Sequence, residues 1–182
     1  NYILLTLLGV LMYVTQVVMS QLPNIEAVSL LIIVTTCLLG VKALFSVYIF
    51  VICEIFTYGL HIWSINYLYV WAILVIAVLC TRKFASREFF ALLSAIFGLL
   101  FGTFCSIPYF IMGGFEGGIV YIIQGFWFDI LHCVGNLVLT FILFNPLTNV
   151  LDKAIKKYIT ITNGKKPTTA PTPPIIPSTS NA

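Results

Sequence analysis

The chain has 182 residues, 60% hydrophobic and 8% charged, with five cysteines and a formal net charge of +3. Soluble domains carry about 25% charged residues, so these figures exclude a soluble enzyme, a nucleic-acid binder and a secreted disulfide scaffold, and leave a polytopic membrane protein. At about 20 apolar residues per crossing, the length holds roughly six spans and no separate soluble domain.

In chain order, the first run is Ile3–Met19, closed by Ser20, Gln21, Pro23 and Asn24. It lacks a basic start and a small-residue cleavage site, so it reads as a retained helix and not as a signal peptide. Ala27–Gly40 forms a second, short span, followed by a tight turn at Gly40-Val41-Lys42, and Leu44–Leu60 forms the third. An aromatic loop, His61–Tyr67, precedes the fourth span, Leu68–Thr81, which Arg82, Lys83 and Arg87 terminate. Phe89–Ser106 is the fifth span. Pro108–Gln124 carries Pro108 and the run GGFEGG (Gly113–Gly118), which predicts a long outer loop with a partial helix, its glycines suited to a mobile lid. Gly125–Asn149 is the sixth span. The stretch Asp152–Lys166 predicts a short basic amphipathic helix on a lipid surface, and Pro167–Ala182 is rich in Pro, Thr and Ser, a disordered composition. The domain expectation is therefore a membrane domain over 1–158 and a basic, then disordered, tail over 159–182.

Charge placement orients these spans. With six spans and the N-terminus inside, the nine cations (Lys42, Arg82, Lys83, Arg87, Lys153, Lys156, Lys157, Lys165 and Lys166) all fall on the cytoplasmic side, as the positive-inside rule requires. Both termini are then cytoplasmic, and the Pro108–Gln124 loop is extracellular.

The polar and aromatic side chains fall on the opposite side. Glu26, His61, Trp63, Asn66, Tyr67, Tyr109, Phe115, Trp127, Asp129, His132 and Asn136 combine flat rings with a few hydrogen-bonding groups, the composition of a ligand pocket. Trp and Tyr also gather at membrane interfaces without binding anything, but here no Trp marks the inner boundary. Asp129, His132 and Asn136 lie on one helical face, with Asp129 and His132 one turn apart and within reach of each other. They read as a self-satisfied polar pair, a ligand contact or a proton relay, with Asn136 as the floor of a one-sided site. Glu54 is a lone intramembrane carboxylate, a partner for His61 or His132. Two histidines without HxxxH or ExxH spacing do not make a dedicated metal site, and no nucleophile–base set for an enzyme is present. The scattered cysteines read as small packing residues. Small residues allow close helix approach in membranes. Gly98 and Gly102 read as packing within the chain, and Gly9, Thr36 and Gly40 as a surface for a partner membrane protein.

Over about Ile3–Lys157 the chain resembles the substrate-binding S components of energy-coupling factor (ECF) vitamin transporters. The stretches that carry the likeness are PNIEAVSLL (Pro23–Leu31), GLHIWSINYLYVW (Gly59–Trp71) and IPYFIMGGFEGG with FWFDILHCVGN (Ile107–Asn136). They are most similar to the cobalamin-associated subgroup. The resemblance implies a non-enzymatic transport subunit in a prokaryotic plasma membrane, with no cofactor of its own. Such a subunit captures a vitamin at the outer face, docks on a membrane scaffold subunit, topples, and releases its ligand inside with energy from two cytoplasmic ATPase subunits. Cobalamin is the first expectation for the ligand, with His61 or His132 placed to approach its cobalt, and pantothenate or a queuosine precursor are the alternatives. The first span lacks the family's Ala-x-x-x-Ala pattern, which makes Gly9, Thr36 and Gly40 the substitute for the scaffold contact. A stand-alone secondary transporter or channel using Glu54, Asp129 and His132 is the competing class.

Overall fold

The computed structural model describes residues 2–22, 25–84, 86–162 and 164, and every regular element among them is helical. The helices are α1 (Tyr2–Met19), α2 (Val28–Leu39), α3 (Ala43–Tyr58), α4 (Ile62–Thr81), α5 (Arg87–Cys105) and α6 (Ile107–Thr162), with single 3-10 turns at Gly40–Lys42 and Arg82–Phe84. Five helical stretches are long and apolar enough to cross a membrane: Tyr2–Met19, Val28–Tyr58, Ile62–Phe84, Arg87–Cys105 and Ile107–Thr162. The second of these comprises α2, the turn and α3.

Successive helices alternate in direction. Leu5 meets Ser46 and Tyr13 meets Thr57, so α1 and α3 run in parallel. Asn66 and Tyr69 of α4 meet the far end of α5, and Asn136 and Asp129 of α6 meet Ser94 and Gly102 of α5, so both pairs are antiparallel. Seven of the nine cations are described. They sit at the turns and ends where α2 passes to α3, α4 to α5, and α6 finishes, which places them at one end of the bundle.

The centre is α2. From Val28 to Thr36 it is buried on every side, the pattern of a helix enclosed by others instead of one facing lipid. It touches all five of the other helices. Twelve residues span about 18 Å at 1.5 Å each, well short of a hydrocarbon core of about 30 Å. Around it pack Leu8 and Met12 of α1, Val47 and Phe50 of α3, Trp71, Leu74 and Val78 of α4, Phe90 and Phe97 of α5 and Phe144 of α6. Gly40 ends α2 with φ +62 and ψ −140 while its N–H bonds the Thr36 carbonyl, a left-handed stop that suits glycine.

Two expected loops are helical. His61–Tyr67 is the start of α4: the His61 N–H donates to Ser64 Oγ at 3.3 Å and the Ser64 hydroxyl donates to the Gly59 carbonyl at 2.9 Å. These bonds close off α3 and begin α4 almost at once. The expected long loop over Pro108–Gln124 is a helical hairpin. α5 bends at Ser106 and continues as a short limb, residues 107–113, with Pro108 in the first turn, where a missing N–H does no harm. At Gly114 the chain reverses, with φ +65 and ψ −165, a conformation essentially confined to glycine. The long limb, residues 115–162, then runs back along the short one. Tyr109 stacks on Tyr121 at 4.1 Å, and Gly118 lies against the Phe110 ring where a side chain would not fit. GGFEGG is thus a hairpin tip with a single break, and the expected mobile lid is replaced by packed helix.

The long limb is about 70 Å long. It includes the expected separate basic helix as a direct continuation, with Leu151 and Ile155 buried and Lys156 paired to Asp152 at 2.7 Å. It passes the expected boundary at 158 and reaches Thr162. Lys165, Lys166 and the Pro/Thr/Ser-rich tail lie outside the described residues.

The two tip glycines differ in a testable way. Gly114→Ala places a Cβ in a conformation only glycine adopts readily and is expected to destabilise the chain by about 1–3 kcal/mol. Gly113→Ala, with open space around its Cβ and no positive φ, is expected to be neutral or slightly stabilising. Thermal unfolding of the two variants in detergent compares them directly.

Candidate functional site

Because α2 is short, the longer helices around it leave a space over its first turn, at the end of the bundle away from the cations. A cavity of about 260 Å³ lies there, lined by Gln16 and Met19 of α1, Ser20, Leu22, Ile25 and Glu26 of the connection into α2, Tyr67 of α4, Phe101 of α5 and His132 of α6. Four segments distant in sequence therefore meet at one point. Of the residues expected at a ligand site, Glu26, Tyr67 and His132 are brought together here.

The polar groups of this wall are under-used. Glu26 Oε1 stands 3.5 Å from His132 Nε2, near enough for charge but not hydrogen-bonded. Both ring nitrogens of His132 are buried without a hydrogen-bond partner, as are Gln16 Oε1, Glu54 Oε1 and Trp71 Nε1. Buried polar atoms nearly always find partners, and leaving one unmade costs about 1–3 kcal/mol. Of these residues Gln16 and His132 line the cavity itself, where unpartnered polar atoms are groups held ready for a ligand or for water. Glu54 of α3 is buried and close enough to Glu26 and Tyr67 for its charge to act on both. Burial pushes the Glu26 carboxyl up from 4.5 to about 7; the Gln16 side chain, donating a hydrogen bond, opposes that rise and Glu54 adds to it.

Apolar surface comes from a chain of rings. Trp63, Tyr67 and Trp71, one turn apart on α4, follow edge to face at 5.3 and 5.4 Å. Trp71 meets Phe101 at 5.4 Å, and Phe101 meets His132 at 4.8 Å. Trp63 belongs to this ladder but does not line the cavity.

The other expected site residues are committed elsewhere. Asn136, expected as a floor, donates to Ser29 Oγ at 3.2 Å and to the Ser94 carbonyl at 3.1 Å, tying α6 to α2 and α5. Asn66 donates to the Cys105 carbonyl at 3.1 Å and accepts from the Tyr69 hydroxyl, which satisfies the open end of α5. Asp129 accepts from the Gly102 N–H at 2.9 Å, so it is turned to α5 and the expected Asp129–His132 contact is replaced by this helix tie. His61 is exposed, with Nε2 against the Tyr58 carbonyl at 2.8 Å. Tyr109 is in the hairpin stack. Phe115 and Trp127 are 79% and 66% exposed, on the hairpin's outer surface and not in the cavity.

The small residues also face inward. Gly98 and Gly102 allow α6 to approach α5 until the His132 backbone and the Asp129 carboxyl occupy the place of a side chain. Gly9, expected at a partner surface, is pressed against Ser46 and Ile49 of α3. Thr36, expected beside it, is fully buried with its hydroxyl on the Ile32 carbonyl at 2.7 Å. Gly40 lies in the α2–α3 turn at the cationic end, near Arg82. Among the described residues no three His, Cys, Asp or Glu side chains come together as a metal set.

Sequence reasoning missed Gln16, Met19, Ser20, Leu22, Ile25 and Phe101. Gln16 is the only amide of the Ile3–Met19 run, but near the end of that run it also suits the water interface. Phe101 carried none, being one of fifteen phenylalanines.

Two outcomes test these assignments. Asn136→Ala removes the donor to both Ser29 and Ser94 and is expected to cost about 1–3 kcal/mol of stability, whereas His61→Ala is expected to be close to neutral; detergent unfolding measures both. The raised Glu26 carboxyl favours its protonated form in the fold. That contribution is complete below about pH 4.5 and is lost as pH rises through about 7, a difference of up to about 3 kcal/mol. Glu26→Gln is expected to flatten this part of the stability–pH curve.

No protein-family model, curated protein or solved structure matches the chain, so its function rests on the chemistry of this cavity and the charge at the opposite end.

Proposed function

We propose that the chain is a substrate-capturing membrane subunit of the ECF S-component type. It crosses the membrane six times, with both ends cytoplasmic, and takes up a vitamin-sized molecule from the extracellular side. The observation that carries this reading is the placement of a cavity with unpartnered buried polar groups at one end of a helical bundle, opposite the described cations. Cations face the cytoplasm in membrane proteins, which directs the cavity outward. Energy comes from two ATPase subunits through a membrane scaffold subunit, and this chain performs no chemistry on its ligand.

The volume bears on the ligand. Drug-sized pockets measure about 300–1,000 Å³, and about 260 Å³ suits a compact molecule on the scale of pantothenate or a deazapurine queuosine precursor. Cobalamin, with its corrin ring and nucleotide tail, is far larger and would enter only if the connection carrying Ser20, Leu22 and Ile25 moved aside. A stand-alone relay through Glu54, Asp129 and His132 is disfavoured: Asp129 is tied to α5, and Phe50, Leu74, Phe90 and Phe144 fill the core toward the cationic end.

Vesicles containing the chain, a scaffold subunit and both ATPases are expected to accumulate ligand only with ATP. The chain alone is expected to bind without transport. Proton-driven uptake by the chain alone would overturn the proposal.

A further inference from the structure

Three facts about the cavity bear on the charge of its occupant. First, its wall and the side chains behind it are rich in acceptors. Glu26 lines it, Gln16 presents an unpartnered Oε1, and Glu54 stands behind with a buried, unpartnered Oε1. Second, among the described residues no Lys or Arg lines it, and the described cations are at the opposite end of the bundle. The partial positive charge at the start of α2 is adjoined by Glu26 itself, two residues ahead of Val28, so an incoming anion meets a carboxyl there first. Third, one side of the wall is flat and aromatic, with Tyr67, Phe101 and the His132 ring, and Phe101 and His132 meet edge to face at 4.8 Å.

An anion placed here is desolvated without a counter-charge, which is strongly unfavourable. A cation or an edge of N–H donors instead finds carboxyl oxygens, and its ring finds π faces. We propose that this cavity selects a small planar heteroaromatic with a cationic or amidine-like donor edge, held by Glu26, with the charge of Glu54 acting from behind the wall, and stacked among Tyr67 and Phe101, and that it rejects carboxylates and phosphates of the same size. This rests on the reading of the cavity as a capture site and decides among its ligands: a donor-edged deazapurine fits the walls and pantothenate, a carboxylate, does not.

Benzamidine and benzoate share a shape and differ in charge, so they probe the rule directly on the purified chain. Benzamidine is expected to raise the unfolding temperature in a saturable way, and benzoate at equal concentration is expected to leave it unchanged. Glu26→Gln is expected to weaken benzamidine at least tenfold, and Glu54→Gln, which removes a charge behind the wall and no direct contact, to weaken it less. Glu116→Gln, at the exposed hairpin tip, is expected to leave it unaltered. Benzoate binding as tightly as benzamidine, binding of neither, or benzamidine binding indifferent to Glu26→Gln in folded protein would overturn the proposal. The small molecule that accompanies the wild-type chain from cells gives a second readout independent of variants. A donor-edged ring supports the rule. An anion overturns it while leaving the capture function standing. No small molecule, together with transport by the chain alone, overturns both.

Discussion

The length of α2 governs the rest of the molecule. A helix of twelve residues, enclosed on all sides from Val28 to Thr36, has no polar face to offer water and no need of one. Its neighbours are longer because they have a membrane's thickness to cover, and the mismatch leaves a space at one of its ends. In lipid, every backbone polar group must be satisfied within the protein; the helices that wall the space beside the connection have main chains already bonded, and side chains supply its polarity. Glu26 arrives on the connection into α2, Gln16 on the helix before it, Tyr67, Phe101 and His132 on the later ones.

The same constraint explains how the wall is held still. His132 and Asp129 lie on the face of α6 that α5 approaches most closely, and Gly98 and Gly102 permit the approach. Asp129 fastens the two helices at 2.9 Å through the Gly102 N–H, and Asn136, one turn below His132, fastens them again through Ser94 while reaching Ser29 of α2. The ring that faces the cavity is thus bracketed above and below by ties that do not themselves face it. Fixing a ligand group through its supports lowers the ordering cost of binding.

How much of this is legible in the sequence differs by residue, for physical reasons. The helices are legible because each apolar run is of membrane length, and the end that carries charge follows from where Lys and Arg interrupt the runs. Glu26, Tyr67 and His132 stand out because polar groups in a greasy chain need a purpose. Asn66 and Asn136 stand out for the same reason and yet serve as helix ties. A buried amide looks identical in sequence whether its partner is a ligand or the carbonyl of a neighbouring helix. GGFEGG reads as a loop because glycine is a weak helix former. What overrides that tendency is the close seat of Gly118 on Phe110 and the stacking of Tyr109 on Tyr121, contacts between residues up to a dozen apart that no local pattern announces. Gln16 is hidden for a different reason: one amide at the end of a membrane-length helix also suits the water interface.

A cavity at one end of a solid bundle constrains how anything held there reaches the other side. Toward the cationic end, Phe50, Leu74, Val78, Phe90 and Phe144 are fully buried around the far turns of α2. Opening a passage among them would expose core to ligand and water and break packing that holds five helices to a sixth. Moving the bundle as a body breaks none of it. The ties at Asn136, Asn66 and Asp129 are internal to the bundle and survive such a movement, whereas the exposed surface of α1 and the hairpin is apolar and meets lipid in any orientation. Under the proposed capture function, such a core fits reorientation of the whole more readily than a channel through its middle.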